Sequence, residues 1–126
     1  MNRDKNLVAI RPAVIAESND SMSVDEIFQN DTLRPILKLQ NDILIAIFCG
    51  DKLILKTEFK NKDAIYQKTI IANSLSKNNK LRNKLIGVVI GLFSKEEMSQ
   101  YIDRLAILDK RIISMMEERL IDQLVS

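Results

Sequence analysis

The stretch Leu81–Ile102, LRNKLIGVVIGLFSKEEMSQYI, decides the fold. Its segment Leu85–Phe93 contains no charged residue, which predicts a central helix, at about residues 80–93, that is buried on every side. A capping-box motif that begins at Ser94 then starts a new amphipathic helix, which we expect to span about Lys95–Leu124. We therefore predict an all-α fold, a compact bundle of four to five helices around the buried central helix, with a long C-terminal helix.

Composition removes several classes of function. The chain has 126 residues, of which 46% are hydrophobic and 29% are charged, typical of one globular domain. It contains no His, the commonest general base and metal ligand, and Cys49 is its only cysteine. Cys49 lies in an apolar run, where a thiol behaves as a small core hydrophobe rather than a nucleophile. We expect no catalytic residues, no metal and no cofactor.

The expected location follows from the length of the apolar runs. The longest is the seven residues 43–49, too short to cross a bilayer, and Leu7–Ile10 is too short for a secretory signal. We expect a cytoplasmic protein with no membrane partner.

The domain limits follow from residues 1–22, which lack helical periodicity and predict a mobile N-terminal tail. Alternatively, Arg11-Pro12 is an extended docking piece laid on the surface. We expect residues 23–126 to form a single helical domain.

Two readings compete for residues 43–59. The segment ILIAIF, a Gly50-Asp51 turn and LILKTEF together suit a β-hairpin. The helical spacing of apolar residues begins ten residues earlier, at Leu33, which favours helix. We prefer helix here.

Within the central helix, Gly87 and Gly91 form one narrow stripe. Glycine costs about 1 kcal/mol relative to alanine inside a helix, so two of them suggest a steric need. We predict that a neighbouring helix packs closely against Gly87 and Gly91.

Three stretches together resemble a family of small, uncharacterised bacterial all-helical proteins. They cover FQNDTLRPILKLQN, LRNKLIGVVIGLFSKEE and RIISMMEERLIDQL, at Phe28–Asn41, Leu81–Glu97 and Arg111–Leu124. Members of that family sometimes carry an automatic glyoxalase label. Glyoxalases of the βαβββ class hold a divalent metal between His and Glu side chains on strands. A helical chain without His does not fit that label.

Positive charge gathers in the middle of the chain. Residues 56–94 hold eight basic and two acidic residues, whereas the segments on either side are each net negative. The basic residues are Lys56, Lys60, Lys62, Lys68, Lys77, Lys80, Arg82 and Lys84. Such a face suits an acidic protein partner or nucleic-acid phosphates, or is simply solvated. Nucleic acid is weakly supported, because few aromatic residues accompany the charges.

Polar residues interrupt two apolar stripes. Gln40 lies mid-stripe with Asn41 at the edge, and Asp109 occupies a seam position of the last helix. A buried carboxylate needs partners, so we predict that Gln40 and Asp109 pair and that Arg34 or Arg82 supplies charge. The alternative is the floor of a small-ligand pocket, with Asn41 and Tyr101 nearby.

The C-terminal helix also suits self-association. Its inward positions alternate by four and three, as in a coiled-coil seam, and Met115-Met116 adapt to varied surfaces. The seam comprises Met98, Ile102, Leu105, Asp109, Ile112, Met116 and Leu120. We predict a non-enzymatic interaction module that forms a homodimer through this helix. The alternatives are a nucleic-acid-binding accessory protein that uses the basic face of residues 56–84 and, behind it, a small-ligand-binding or glyoxalase-type protein.

Overall fold

The computed structural model describes residues 1–14 and 19–125. From Val24 onward it consists of helices joined by short turns, and the described residues contain no β-strand. The α-helices are α1 (Arg3–Ala9), α2 (Val24–Phe28), α3 (Arg34–Leu39), α4 (Asn41–Gly50), α5 (Lys52–Lys56), α6 (Ala64–Lys77), α7 (Asn79–Ile90), α8 (Lys95–Asp103) and α9 (Leu105–Leu124). A π-helical turn at Gln29–Leu33 and a 3₁₀ turn at Phe59–Asn61 complete the described elements. The all-α prediction is confirmed, although several helices are shorter and more numerous than expected.

The helical reading of residues 43–59 is confirmed, and the hairpin is wrong. Leu44 and Phe48 are buried four residues apart on α4, as a helical period requires. Asp51 ends α4 and accepts hydrogen bonds from the backbone N–H groups of Leu53 and Ile54, so it caps α5. Gly50-Asp51 is thus the junction between α4 and α5 rather than a hairpin turn.

The central helix is α7, which packs against α4, α6 and α9. Leu81, Leu85, Ile86 and Val89 are buried. The prediction that α7 is buried on every side is wrong, because Gly87 and Gly91 are exposed.

The predicted close packing at the glycines is wrong as well. A Cβ atom added at Gly87 would meet nothing within 4 Å, and one at Gly91 would meet only the carbonyl oxygen of Gly87, 3.0 Å away. The two glycines continue the helical stripe that begins with Lys80 and Lys84, which are also exposed. They therefore belong to the solvent face of α7.

The C-terminal helix is long but broken, so the single helix expected over Lys95–Leu124 is wrong. Arg104 leaves the helical region, with φ −132° and ψ 39°, and separates α8 from α9. Its guanidinium donates to both carboxylate oxygens of Asp25 on α2, at 2.5 and 2.6 Å. Ile102 and Leu105 of the predicted seam, which lie on either side of the break, are exposed, whereas Ile112, Met116 and Leu120 are buried within the monomer.

The N-terminal segment contains a helix that the sequence did not indicate. Arg3 of α1 donates to the carbonyl oxygens of Phe93 and Gly91, at 2.8 and 2.9 Å. Arg11 donates to the carbonyl oxygen of Leu92, at 3.0 Å. These bonds satisfy carbonyl groups of the turn between α7 and α8, which have no helical partners. Residues 15–18, within the predicted tail, lie outside the described residues.

Candidate functional site

Glu97, in the first turn of α8, accepts four hydrogen bonds from other described residues. Arg11 donates to its two oxygens at 2.7 and 2.6 Å, Thr32 donates at 3.0 Å and the N–H of Ser94 donates at 2.8 Å. Burial alone would raise the pKa of Glu97, but the hydrogen bonds and the charge of Arg11 lower it to about 2. We call these four residues the Glu97 cluster. Arg11 balances the charge of Glu97, and the four hydrogen bonds occupy both of its carboxylate oxygens. The Glu97 cluster therefore has the properties of a structural contact.

Half of this cluster was recognisable from the sequence. Ser94 and Glu97 form a complete capping box, as their spacing predicts. Arg11 and Thr32 come from distant parts of the chain, and nothing local in the sequence links them to Glu97. The alternative reading of Arg11-Pro12 as a docking piece agrees with the contacts that Arg11 makes.

Gln40 and Asp109, the predicted core pair, do not meet. Gln40 joins α3 to α4, and its amide nitrogen donates to the carbonyl oxygen of Val88 at 3.4 Å. Asp109 accepts a hydrogen bond from the hydroxyl of Tyr101, the residue expected near the pocket. Burial and then the bond to Asp109 raise the pKa of Tyr101. The pairing prediction is wrong, and neither predicted cation, Arg34 or Arg82, lies in an ion pair with Asp109.

Asn41 and Arg34, the other two predicted site residues, lie against α9. The amides of Asn41 and Gln123 donate to each other at 2.7 Å in both directions, and Arg119 donates to the amide oxygen of Asn41 at 3.3 Å. Arg34 donates through Nε to the side-chain oxygen of Asn30 at 2.9 Å. The structure thus divides the four candidates. Arg34 and Asn41 lie beside the C-terminal half of α9, Asp109 lies near the start of α9 with Tyr101, and Gln40 contacts Val88.

A cleft of about 370 Å³ opens between α3 and α9, which we call the α3–α9 cleft. Its lining residues are Arg34, Met115, Glu118, Arg119, Asp122 and Gln123. Burial, and then the charge of Arg34, lower the pKa of Arg119, so the two guanidinium groups lie close enough to repel. Among the described residues, neither arginine forms an ion pair within 4.0 Å.

Sequence reasoning missed Arg119 and Gln123. Both lie on α9 four residues apart, a spacing that suits an ordinary solvated helix face. Only their position opposite Arg34 and Asn41 sets them apart from other polar residues of α9.

The predicted basic face is exposed at Lys77, Lys80 and Lys84, whereas Arg82 is half-buried. The amide of Asn78 donates to the carboxylate of Asp51 at 3.3 Å, which brings the start of α5 beside the α6–α7 turn. Lys52 therefore adds to the same surface. In the described part of the chain, none of these cations lies in an ion pair.

Large apolar side chains are exposed among the lysines of α5 and α6. They are Leu53, Leu55, Ile65 and Tyr66, and Ile65 retains 80% of its accessible surface. Leu55 also lines a pocket of about 200 Å³. It is lined by Cys49, Ile54, Leu55, Glu58, Phe59, Lys60 and Asn61. We use the name basic–apolar face for these four exposed apolar residues together with the exposed lysines of α5, the 3₁₀ turn and α6. Those lysines are Lys52, Lys56, Lys60, Lys68 and Lys77.

Comparison of the chain with models of known families, with curated proteins and with solved structures finds no match to any of them. The resemblance to the small bacterial helical family therefore stays a prediction. Across residues 1–14 and 19–125, no three metal-ligating His, Cys, Asp or Glu side chains converge. No helix in the same ranges is long and apolar enough to cross a bilayer.

Proposed function

We propose that this protein is a non-enzymatic helical interaction module that binds an acidic protein segment through its basic–apolar face. The observation that carries the proposal is a mostly apolar pocket of about 200 Å³ next to the exposed lysines of α5 and the 3₁₀ turn. Its walls include Ile54 and Phe59, and Lys60 and Glu58 also line it. A partner with carboxylates around one apolar anchor would complement both features.

The exposed apolar residues favour a protein partner over nucleic acid. Leu53, Leu55 and Ile65 are aliphatic and cannot stack on bases, and Phe59 is buried. Tyr66 is exposed, but Lys62 lies 5.4 Å from the centre of its ring and covers part of the stacking surface. Aliphatic side chains instead fit the apolar residues of an amphipathic segment. In the cytoplasmic location expected from the sequence, Cys49 at the pocket wall would stay a free thiol.

Fluorescence anisotropy with two matched peptides tests this proposal. One peptide is a labelled 16-residue acidic helix with leucines at i, i+3, i+4 and i+7; the other replaces the leucines with serines. We expect the leucine peptide to bind at least tenfold more tightly, because only it can fill the pocket. Leu55→Ser should weaken that binding at least fivefold. The matched control is Ile102→Ser, since Ile102 and Leu55 are each 62% exposed and Ile102 lies outside the face.

Two results would refute the acidic-segment proposal. Equal binding of the two peptides would mean that charge alone drives association. Tighter binding of a 16-nucleotide single strand or random duplex, lost between 50 and 300 mM NaCl, would favour the nucleic-acid alternative. Circular dichroism of each variant establishes that the helices are intact.

Self-association is a second candidate, supported by exposed apolar residues on either side of the break at Arg104. Ile102, Leu105 and Ile107 are all exposed close in sequence to the α8–α9 corner, as are Asp103 and Lys110. Opposite charges around one patch suit a two-fold contact, in which each copy uses the same surface. Met115 and Met116 are buried in the monomer, so we do not include them in the proposed dimer interface.

The area of this corner suits a weak dimer. Its three apolar residues expose on the order of 300 Å², below the roughly 800 Å² per partner that a stable interface buries. Sedimentation velocity should therefore give a mass that rises with concentration, and Leu105→Asp should abolish the rise. Ile43→Asp, on exposed α4 surface, is the matched control. A monomeric mass at every concentration would rule the dimer out.

A further inference from the structure

The arginines of the α3–α9 cleft are held by neutral groups. Arg34 donates to the amide of Asn30 and Arg119 to the amide of Asn41. A side-chain amide orients a guanidinium but carries no negative charge to pair with it. In the described chain, no other acceptor is bonded to the remaining N–H groups of these two arginines.

Holding two like charges together costs free energy that a bound anion would recover. The charge of Arg34 already lowers the pKa of Arg119, which is half-buried. A guanidinium presents a planar fork of N–H donors that matches the two oxygens of a carboxylate. The α3–α9 cleft, about 370 Å³ in volume, has room for such a group.

The acidic residues of the cleft limit the charge of the ligand. Glu118 and Asp122 also line it, although neither comes within 4.0 Å of a guanidinium. Two carboxylates beside two arginines leave the cleft as a whole near neutrality, which disfavours a doubly charged phosphate. Met115 adds an apolar wall to the same cleft.

We propose that the α3–α9 cleft binds a singly charged carboxylate with a short apolar group, held by Arg34 and Arg119. This site lies apart from the basic–apolar face and does not depend on the proposed interaction function. The carboxylate belongs either to a free small acid or to an acidic side chain of another protein. Both sources present the same two oxygens to the arginines.

NMR titration of the ¹⁵N-labelled protein tests the site. Sodium butyrate is added against sodium chloride at constant ionic strength, and the arginine Nε–Hε signals are followed. We expect the signals of Arg34 and Arg119 to shift saturably with butyrate, while that of Arg111 stays fixed. A blocked tripeptide, acetyl-Gly-Glu-Gly-amide, forms the second arm, and the tighter of the two probes identifies the source of the carboxylate.

Variants on α9 provide a matched pair. Arg119→Gln should weaken butyrate binding at least tenfold. Arg111→Gln should leave it unchanged, because Arg111 is bonded to the amide of Gln29 and does not line the cleft. Thermal unfolding of both variants checks that each is folded at the titration temperature.

Three outcomes would overturn the inference. The first is an equal shift with chloride, which would indicate general ionic screening. The second is equal loss of binding in Arg111→Gln and Arg119→Gln. The third is tighter binding of inorganic phosphate than of either carboxylate probe, which would contradict the charge balance assigned to Glu118 and Asp122.

Discussion

Arg11 and Arg119 place guanidinium groups in two surroundings of opposite character. Arg11 is 8% exposed and donates to both carboxylate oxygens of Glu97. Arg119 is half-buried, donates to the neutral amide of Asn41 and lies near a second cation, Arg34. The first guanidinium is paired directly with a carboxylate, whereas the second has no carboxylate of the described residues within 4.0 Å.

This difference separates a structural cluster from a candidate binding site. Arg11 and Glu97 lie 86 residues apart in the chain, so their pairing fastens the N-terminal segment to α8. Replacing either member leaves the other charge half-buried without its partner, which is costly. Arg119 has no carboxylate partner of this kind. Its replacement removes one long hydrogen bond to Asn41 and also removes the repulsion from Arg34. Stability should therefore depend on Arg11 far more than on Arg119.

The largest effect is expected for Arg11→Gln. This variant loses two short charge-assisted hydrogen bonds and the bond to the carbonyl of Leu92. It also leaves Glu97 with only Thr32 and the N–H of Ser94 as donors. We expect a loss of about 3 kcal/mol in the free energy of unfolding, measured by urea denaturation at pH 7. A loss below about 1 kcal/mol would mean that Arg11 is not held against Glu97 in solution.

An intermediate effect is expected on acidification. The pKa of Glu97 is about 2 in the folded protein and 4.5 ordinarily, so the unfolded state binds more protons between these values. The stabilisation from Glu97 is present above about pH 5 and is lost as the pH falls toward 2. Allowing for partial solvent screening, we expect about 2 kcal/mol from this one group.

The comparison with Glu97→Gln isolates that contribution. Arg104, chiefly through its hydrogen bonds, also lowers the pKa of Asp25, so the wild-type curve contains more than one acidic group. The prediction thus concerns the gap in unfolding free energy between wild type and Glu97→Gln, measured at pH 7, 5, 4 and 3. This difference in unfolding free energy should become steadily smaller as the pH is lowered. A gap that stays constant would show that Glu97 titrates normally.

The smallest effect is expected for Arg119→Gln, the same chemical change as in Arg11→Gln. The variant gives up a hydrogen bond of 3.3 Å to Asn41 and removes the repulsion from Arg34. These terms oppose each other, and the free energy of unfolding should change by no more than about 0.5 kcal/mol. Urea denaturation in a carboxylate-free buffer is the measurement. A loss comparable to that of Arg11→Gln would place Arg119 among the structural charges.

Sequence reasoning succeeded where a rule spans a few residues. The capping box at Ser94 and Glu97 and the helical period through Leu44 and Phe48 are local patterns, and both appear in the structure. The solvent face of α7 was also readable, because Gly87 and Gly91 follow Lys80 and Lys84 at helical spacing. Assigning that stripe to a neighbouring helix overlooked the two lysines.

The predicted pair of Gln40 and Asp109 failed for a different reason. A helical wheel assumes an unbroken 100° per residue, but the backbone departs from helix at Gln40, with φ −92° and ψ 6°, and again at Arg104. Gln40 lies at the first break and Asp109 lies five residues after the second, so angular positions counted along one continuous helix do not hold next to them. Leu105, directly after the break at Arg104, is exposed for the same reason, whereas Ile112, Met116 and Leu120 farther along α9 are buried.

By itself, the sequence determined that the chain is helical, that Ser94 caps a helix and that charge concentrates in residues 56–94. These properties depend on periodicity, capping hydrogen bonds and composition, all of which act over short distances along the chain. Only the tertiary structure decided that Arg11 meets Glu97 and that Arg34 faces Arg119. Such pairs depend on how the helices pack, because an arginine has the same local pattern whether it meets a carboxylate, an amide or water.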